Sequence, residues 1–196
     1  MQYLKEEIKS EIMRTALKEF DLNGFEKASM KNIANNAGVA IGNIYRYFKN
    51  KEELFNEIIE PAHHKISELV FNRFQDNNLN TNIKFNPSDI VDSLMKVYLN
   101  YSTELMIMMY KSEGTKYENT KEELINLVYS RLELEYKIIF SEQGVESVEK
   151  FIYIFATILS EGIFTILKRD EHIEEKKKLI NQLLIFYFNQ LDKRFN

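Results

Sequence analysis

Apolar residues return every three or four positions along almost the whole chain, and only two prolines, Pro61 and Pro87, interrupt them. That spacing puts them on one side of a 3.6-residue helix, and no segment shows the strict alternation of a half-buried strand. From residue 3 to 22, Ile8, Ile12, Met13, Ala16, Leu17 and Phe20 keep one stripe, and Asn23-Gly24 ends it. Ser29 stands where a helix N-cap belongs, ahead of a short helix with Ile33, Ala34 and Ala37. After Gly38 another short helix runs from Ile41 to Tyr47. Asn50 to Glu53 then forms a capping box that opens a long helix to about Gln75, which Pro61 is expected to kink. Asp76 to Asn86 is polar and reads as a loop. Further helices are expected from Pro87 to Met109, from Thr120 to Phe140, and over roughly 146–168 and 172–194, with a turn around Gly114. The expectation is an all-α protein of about nine helices.

Composition narrows the function classes. The sequence has no Cys, so neither disulfides nor thiolate metal sites hold it together. The segment from Met1 to Phe20 mixes charge with apolar residues, unlike a secretory signal. Apolar runs such as Phe151 to Leu159 are shorter than the ~18 residues of a membrane span. A soluble cytoplasmic protein without a membrane partner is expected. His63 and His64 are adjacent on a helix and point about 100° apart, and His172 lies in a charged connector. No Gly-rich phosphate loop, nucleophile elbow or H-E-x-x-H string occurs. The chain is therefore not expected to be an enzyme or to need a metal or cofactor.

The charge distribution points elsewhere. Net charge is −4, yet from Lys27 to Lys51 the chain carries Lys27, Lys31, Arg46, Lys49 and Lys51 and no acid. A local basic patch inside an acidic protein is the electrostatic footprint of a DNA-reading surface. It coincides with three helices, the second and third joined by a tight glycine turn, which is helix-turn-helix arithmetic. Ala34 and Ala37 are small where helices cross, and Ile33, Val39, Ile44 and Phe48 supply a little core. The outer side of the third helix then presents Gly42, Asn43, Tyr45, Arg46 and Tyr47. Asn pairs with adenine edges, Arg with guanine or phosphate, and Tyr donates to phosphate oxygens.

The string Ile33-Ala34, Ala37-Gly38-Val39, Ile44-Tyr45-Arg46-Tyr47-Phe48 and Asn50-Lys51-Glu52-Glu53-Leu54 resembles the signature of the TetR family of bacterial transcriptional regulators. The detailed match covers residues 8 to 58. The resemblance implies that Gly42 and Asn43 approach bases while Tyr45 and Tyr47 hold phosphates. It also implies a phosphate on Lys51, whose cation at a helix N-terminus otherwise opposes the macrodipole. Ser29 and Lys31, at the start of the second helix, fit the same role, and Lys49 lies beside them. Two positions depart from the family: Ala40 stands where Ser or Thr is common, and Ile41 where a polar or basic residue is.

By the same resemblance, residues 1–50 form a helix-turn-helix DNA-binding domain and 51–196 an effector-binding and dimerisation domain. The final two helices are expected to pair with a second copy through Phe151, Phe155, Ile158, Leu159, Gly162, Ile180, Leu184 and Tyr187. Intramolecular core is the other use for those faces. The middle of the chain is expected to take a small, hydrophobic or aromatic effector among Phe71, Phe74, Met95, Tyr98, Tyr101, Glu104, Met108, Met109 and Tyr110. The same stripes would also suit a core. The partners implied are double-stranded operator DNA, a small molecule and a second copy of the chain. A repressor is the expected role, and an activator or a ligand-free regulator the alternative.

Overall fold

The structure, a computed structural model, describes residues 2–75, 87–142 and 144–189, with side chains described from Lys5 to Val70 in the first stretch. Eight helices and no strand occur among the described residues: α1 Gln2–Lys27, α2 Met30–Asn36, α3 Ile41–Ile44, α4 Lys51–Gln75, α5 Pro87–Tyr110, α6 Thr120–Glu142, α7 Val148–Lys168 and α8 Ile173–Phe188. The all-α expectation holds, with eight helices in place of about nine. The expected loop from Asp76 to Asn86 and the chain beyond Asn189 lie outside the described residues. Pro61 sits inside α4, and the interruption in helical geometry falls instead in α5, at Tyr101 (φ −139°, ψ 29°). In α1 Gly24 takes a positive φ of 70°, so the chain turns where Asn23-Gly24 was expected to stop it and then adds one more turn to Lys27.

Packing divides the chain into two units, and the division does not fall at residue 50. One holds Met1–Lys65 and Asn100–Lys121, the other Ile66–Leu99 and Glu122–Asn196. In the first unit α1 buries Ile12, Ala16 and Phe20, α2 buries Ile33 and Ala34, and Ile44 and Phe48 close the space between them. The start of α4 adds Leu54, Phe55 and Ile59, also buried. Phe55 meets Phe20 and Phe25 edge-on, with ring centroids 4.9 Å away in each case. The end of α5 brings Leu105, Ile107 and Met108 into the same unit. The three-helix head therefore shares its core with the start of α4 and the end of α5.

The second unit is built around α7. Its buried stripe of Ile152, Ala156, Leu159, Phe164 and Leu167 packs beside α8, which buries Ile180 and Leu184. Leu132 and Phe140 of α6 join Ile152 and Ala156 in one cluster, flanked by Tyr136, Phe151, Phe155 and Phe188. Burial there pushes the Tyr136 phenol up to about 12. By length and composition α7 is apolar enough to cross a membrane, with a mean hydropathy of 1.6 over its best 18-residue window. The short apolar runs in the sequence understate this, because Ser160, Glu161 and Gly162 break them while leaving the helix apolar on average.

The C-terminal end of α7 is closed by a buried lysine. Lys176 donates to Leu167 O at 2.8 Å and to Arg169 O, and its ammonium stands 5.4 Å from the centre of the Tyr98 ring. Tyr98 Oη donates to Leu167 O at 3.0 Å. Orphan carbonyls at a helix end are thus met by side chains rather than by water.

At Gly162 α7 leaves room for Leu183 of α8, since a Cβ placed there would lie 2.9 Å from Leu183 Cδ2. Gly162→Val should cost about 1–3 kcal/mol of unfolding free energy through overpacking, read as a lower denaturant midpoint with an unchanged m-value.

Candidate nucleic-acid interface

The local chemistry of the head starts at the ends of its short helices. Ser29 is the N-cap of α2, with extended backbone and a side chain accepting from Asn32 N at 3.4 Å. Behind it stands Glu19, a buried carboxylate on α1 that accepts from Ser29 N at 3.0 Å and Asn32 Nδ2 at 3.3 Å. A carboxylate at a helix N-terminus satisfies orphan amides and suits the macrodipole. Sequence reasoning missed Glu19, although its position three and four residues from Ala16 and Thr15, inside the apolar stripe, marks it as an acid facing inward. Gly38, with φ 67°, makes the turn, and nothing lies within 4 Å of a Cβ built on it, so its requirement is backbone conformation and not space.

Only Ile41–Ile44 of the third helix is α-helical. Arg46 N donates to Asn43 O and Tyr47 N to Ile44 O, i to i+3 bonds that tighten the chain beyond it. Ala40 makes no side-chain cap, as its methyl dictates, and its carbonyl takes Asn43 N at 2.8 Å. Ile41 faces solvent rather than the core. Gly42, Arg46, Lys31 and Lys49 are exposed, Tyr45 is 50 % exposed, and Asn43 and Tyr47 are half-buried. No heavy atom lies within 4 Å of a Cβ built on Gly42, which leaves its face open. All of them lie in the stretch from Lys27 to Lys51, which carries no carboxylate of its own.

Asn50 caps α4, its Oδ1 accepting from Glu53 N at 2.7 Å. Glu53 reaches back to Lys49 N rather than to Asn50 N, which pins the backbone of Lys49 while its side chain stays in solvent. Lys51 has partners within the chain. Its ammonium turns inward and donates to Phe25 O at 2.7 Å, Glu26 O at 2.9 Å and Ala28 O at 3.2 Å, and lies 4.6 Å from the centre of the Phe25 ring. In the free chain the carbonyls at the end of α1 supply its negative partner.

The residues expected around an effector are divided between the two packing units. Met95 and Met108 are buried, Tyr98 is spent on the end of α7, and Tyr101, Glu104, Met109 and Tyr110 are half-buried. Lys121 stands over the Tyr110 ring at 5.2 Å. Met95 and Tyr98 belong to one packing unit and Tyr101 to Tyr110 to the other. The side chains of Phe71 and Phe74 lie outside the described residues.

Much of the expected dimer face is occupied within the chain. Leu159, Ile180 and Leu184 are buried within one chain, and Gly162 is taken up by Leu183. Phe151, Phe155 and Tyr187 belong to an intrachain aromatic group, Phe155 lying 6.2 Å from Phe151 and 4.9 Å from Tyr187. Ile158 alone of that set is exposed, at 52 %. The apolar residues that α7 and α8 do present to solvent are Tyr153, Ile154, Ile158, Ile185 and Phe186.

Burial raises the Glu104 carboxyl above its ordinary value. The folded chain then holds its proton more tightly than the unfolded chain, so stability falls as pH rises through the interval above the unfolded value. Glu104→Gln should raise the unfolding temperature at pH 7 and change it least near pH 3, well below the ordinary carboxylate value, where both states are largely protonated; thermal melts across that range check it.

Residues 12–58 match the family described as bacterial regulatory proteins, tetR family. The uncharacterized HTH-type transcriptional regulator YdgC of Bacillus subtilis is 32 % identical over 75 residues, a stretch covering 38 % of this chain and 38 % of that one. The match thus spans well under half of that relative's length. A TetR-like transcriptional regulator of Rhodococcus sp. RHA1 has the same fold over 90 % of this chain and 92 % of its own, with a TM-score of 0.60 at 16 % identity. AibR, solved in complex with isovaleryl coenzyme A and operator DNA, covers 90 % of this chain and 97 % of its own, with a TM-score of 0.54 at 17 % identity. Residues 12–58 therefore carry a helix-turn-helix of the tetR-family type, and the chain shares its fold with TetR-like regulators along most of its length.

Proposed function

We propose that this protein is a cytoplasmic transcriptional repressor that binds operator DNA as a homodimer and is released by a small, largely apolar effector. The observation that carries the reading is the acid-free stretch from Lys27 to Lys51, in which Lys31, Arg46 and Lys49 are exposed and Gly42 is open. A glycine there allows a base edge or backbone to approach closely, Asn43 and Arg46 supply edge-reading groups, and Tyr45 and Tyr47 reach phosphates. Ser29 keeps its hydroxyl proton for a phosphate while its oxygen caps α2.

Dimerisation follows from affinity and from surface chemistry. A single head of this size binds weakly, and two heads spaced for successive turns of the duplex multiply the contact. The exposed Ile154, Ile158, Ile185 and Phe186 form the apolar face that a second copy would cover. For the effector, the support is that AibR, with the same fold, holds a coenzyme A ester and operator DNA. Met109, Tyr101 and Glu104 around the break in α5 are the residues proposed to meet such a molecule. An effector acts only by preferring the conformer in which the heads are wrongly spaced for DNA.

The test is titration of genomic fragments from beside the gene against scrambled duplex over a salt series. Specific binding with a steep salt slope is expected. Lys49→Ala should lower that slope by about 0.9 and weaken all sequences alike, whereas Tyr45→Ala should weaken binding at an unchanged slope. Ile154→Glu with Phe186→Glu should give monomers by sedimentation and abolish tight operator binding. A protein that binds selected and scrambled DNA equally would overturn the reading.

A further inference from the structure

Lys51 opens α4, yet its side chain serves another helix 25 or so positions away. An ammonium has three donors, and here each meets a different carbonyl: Phe25 O, Glu26 O and Ala28 O. Those carbonyls form the negative end of α1, where a cation is favoured. The Phe25 ring lies against the same charge, at 4.6 Å. Ala28 is buried and immediately precedes Ser29, the cap from which α2 starts. The first residue of α4 therefore sets the place where α2 begins.

The same turn is held from its other side. Phe25 N donates to Lys111 O at 2.9 Å, and a Cβ on Gly24 would lie 3.5 Å from that oxygen. The Lys111 ammonium binds Asp21 through its carboxylate at 2.6 Å and through its backbone carbonyl. Glu19 takes Ser29 N, as described above. From the end of α1 to the first turn of α2 the chain is thus tied to its neighbours at Asp21, Phe25, Glu26, Ala28, Ser29 and Asn32. A phosphate could claim Lys51 only by releasing at least one carbonyl, whereas Lys31, Arg46 and Lys49 are exposed.

We propose that Lys51 is a positioning residue of the reading head: it contributes to operator recognition by holding the α1–α2 turn, and through it α2 and α3, in register with α4, without contacting DNA. The proposal rests on the DNA-binding reading above. It predicts that Lys51 takes no part in counterion release, so the basic stretch acts on DNA with its other four cations.

Lys51→Met keeps the aliphatic stem and removes the ammonium. In the free protein, hydrogen exchange at the amides of Ala28 to Ile33 should quicken by about tenfold or more while α7 is unaffected. On DNA, affinity for the selected fragment should fall about tenfold or more, affinity for scrambled duplex should change less than about twofold, and the salt slope should match wild type. Lys49→Ala supplies the contrasting case of a lowered slope. A Lys51→Met slope lower by about 0.9, with both duplexes weakened alike, would overturn the proposal in favour of a phosphate contact. So would a variant that melts earlier but keeps the wild-type ratio of specific to scrambled affinity, because that is a stabilising role alone. Exchange at Ala28 to Ile33 left at the wild-type rate would overturn it without any DNA, so a failure of the DNA reading is seen separately, as wild-type protein that does not discriminate.

Discussion

A helix leaves its last carbonyls without partners, and in a chain made only of helices the manner in which those ends are closed decides how the pieces lock together. Here lysine ammoniums close two of them. Lys51 takes the end of α1 and Lys176 the end of α7, each bridging to a helix that begins later in the chain. A lysine suits the task because its long stem packs on apolar surface while three donors fan out at the tip. In both places an aromatic ring, Phe25 or Tyr98, lies beside the charge. Remove either cation and a set of helix-end carbonyls loses its partner at once.

That arrangement explains why the head does not end where its motif ends. The helix-turn-helix needs little more than Ile33, Ala34, Ile44 and Phe48 for its own core. Phe20, Phe25 and Phe55 nevertheless join α1 to the start of α4, and Lys111 joins the end of α5 to Asp21. In the proposed function this is useful. A displacement of α4 or of the end of α5 reaches the turn ahead of α2 through short, directional bonds. Interfaces of this kind are bistable rather than continuously deformable, which suits a switch better than a gradual response.

α7 shows the limits of reading faces from periodicity. Its apolar residues run nearly all the way round, from the buried Ile152, Ala156 and Leu159 to the exposed Tyr153, Ile154 and Ile158. A stripe analysis picks out the apolar content correctly but cannot assign one side to the chain's own core and the other to a second copy. Bulky aromatics attract the choice of an interface, yet Phe151 and Phe155 turned inward to Phe140 and left the branched aliphatics outside. The proposed sensor region has the same ambiguity, and there the buried Met95 and Met108 behave as core.

What the sequence by itself determined was most of what is governed by neighbours within about four positions. The helices, the Ser29 and Asn50 caps, the Gly38 turn and the acid-free basic surface all follow from local spacing and backbone preference. Tertiary structure alone decided where long side chains spend their charges and which side of an apolar helix is covered. Lys51 reaches back 26 positions to Phe25, Tyr98 forward 69 to Leu167 and Lys111 back 90 to Asp21. Such partners depend on how helices are rotated and stacked, and a lysine written in the sequence carries the same charge whether it meets a phosphate or the end of another helix.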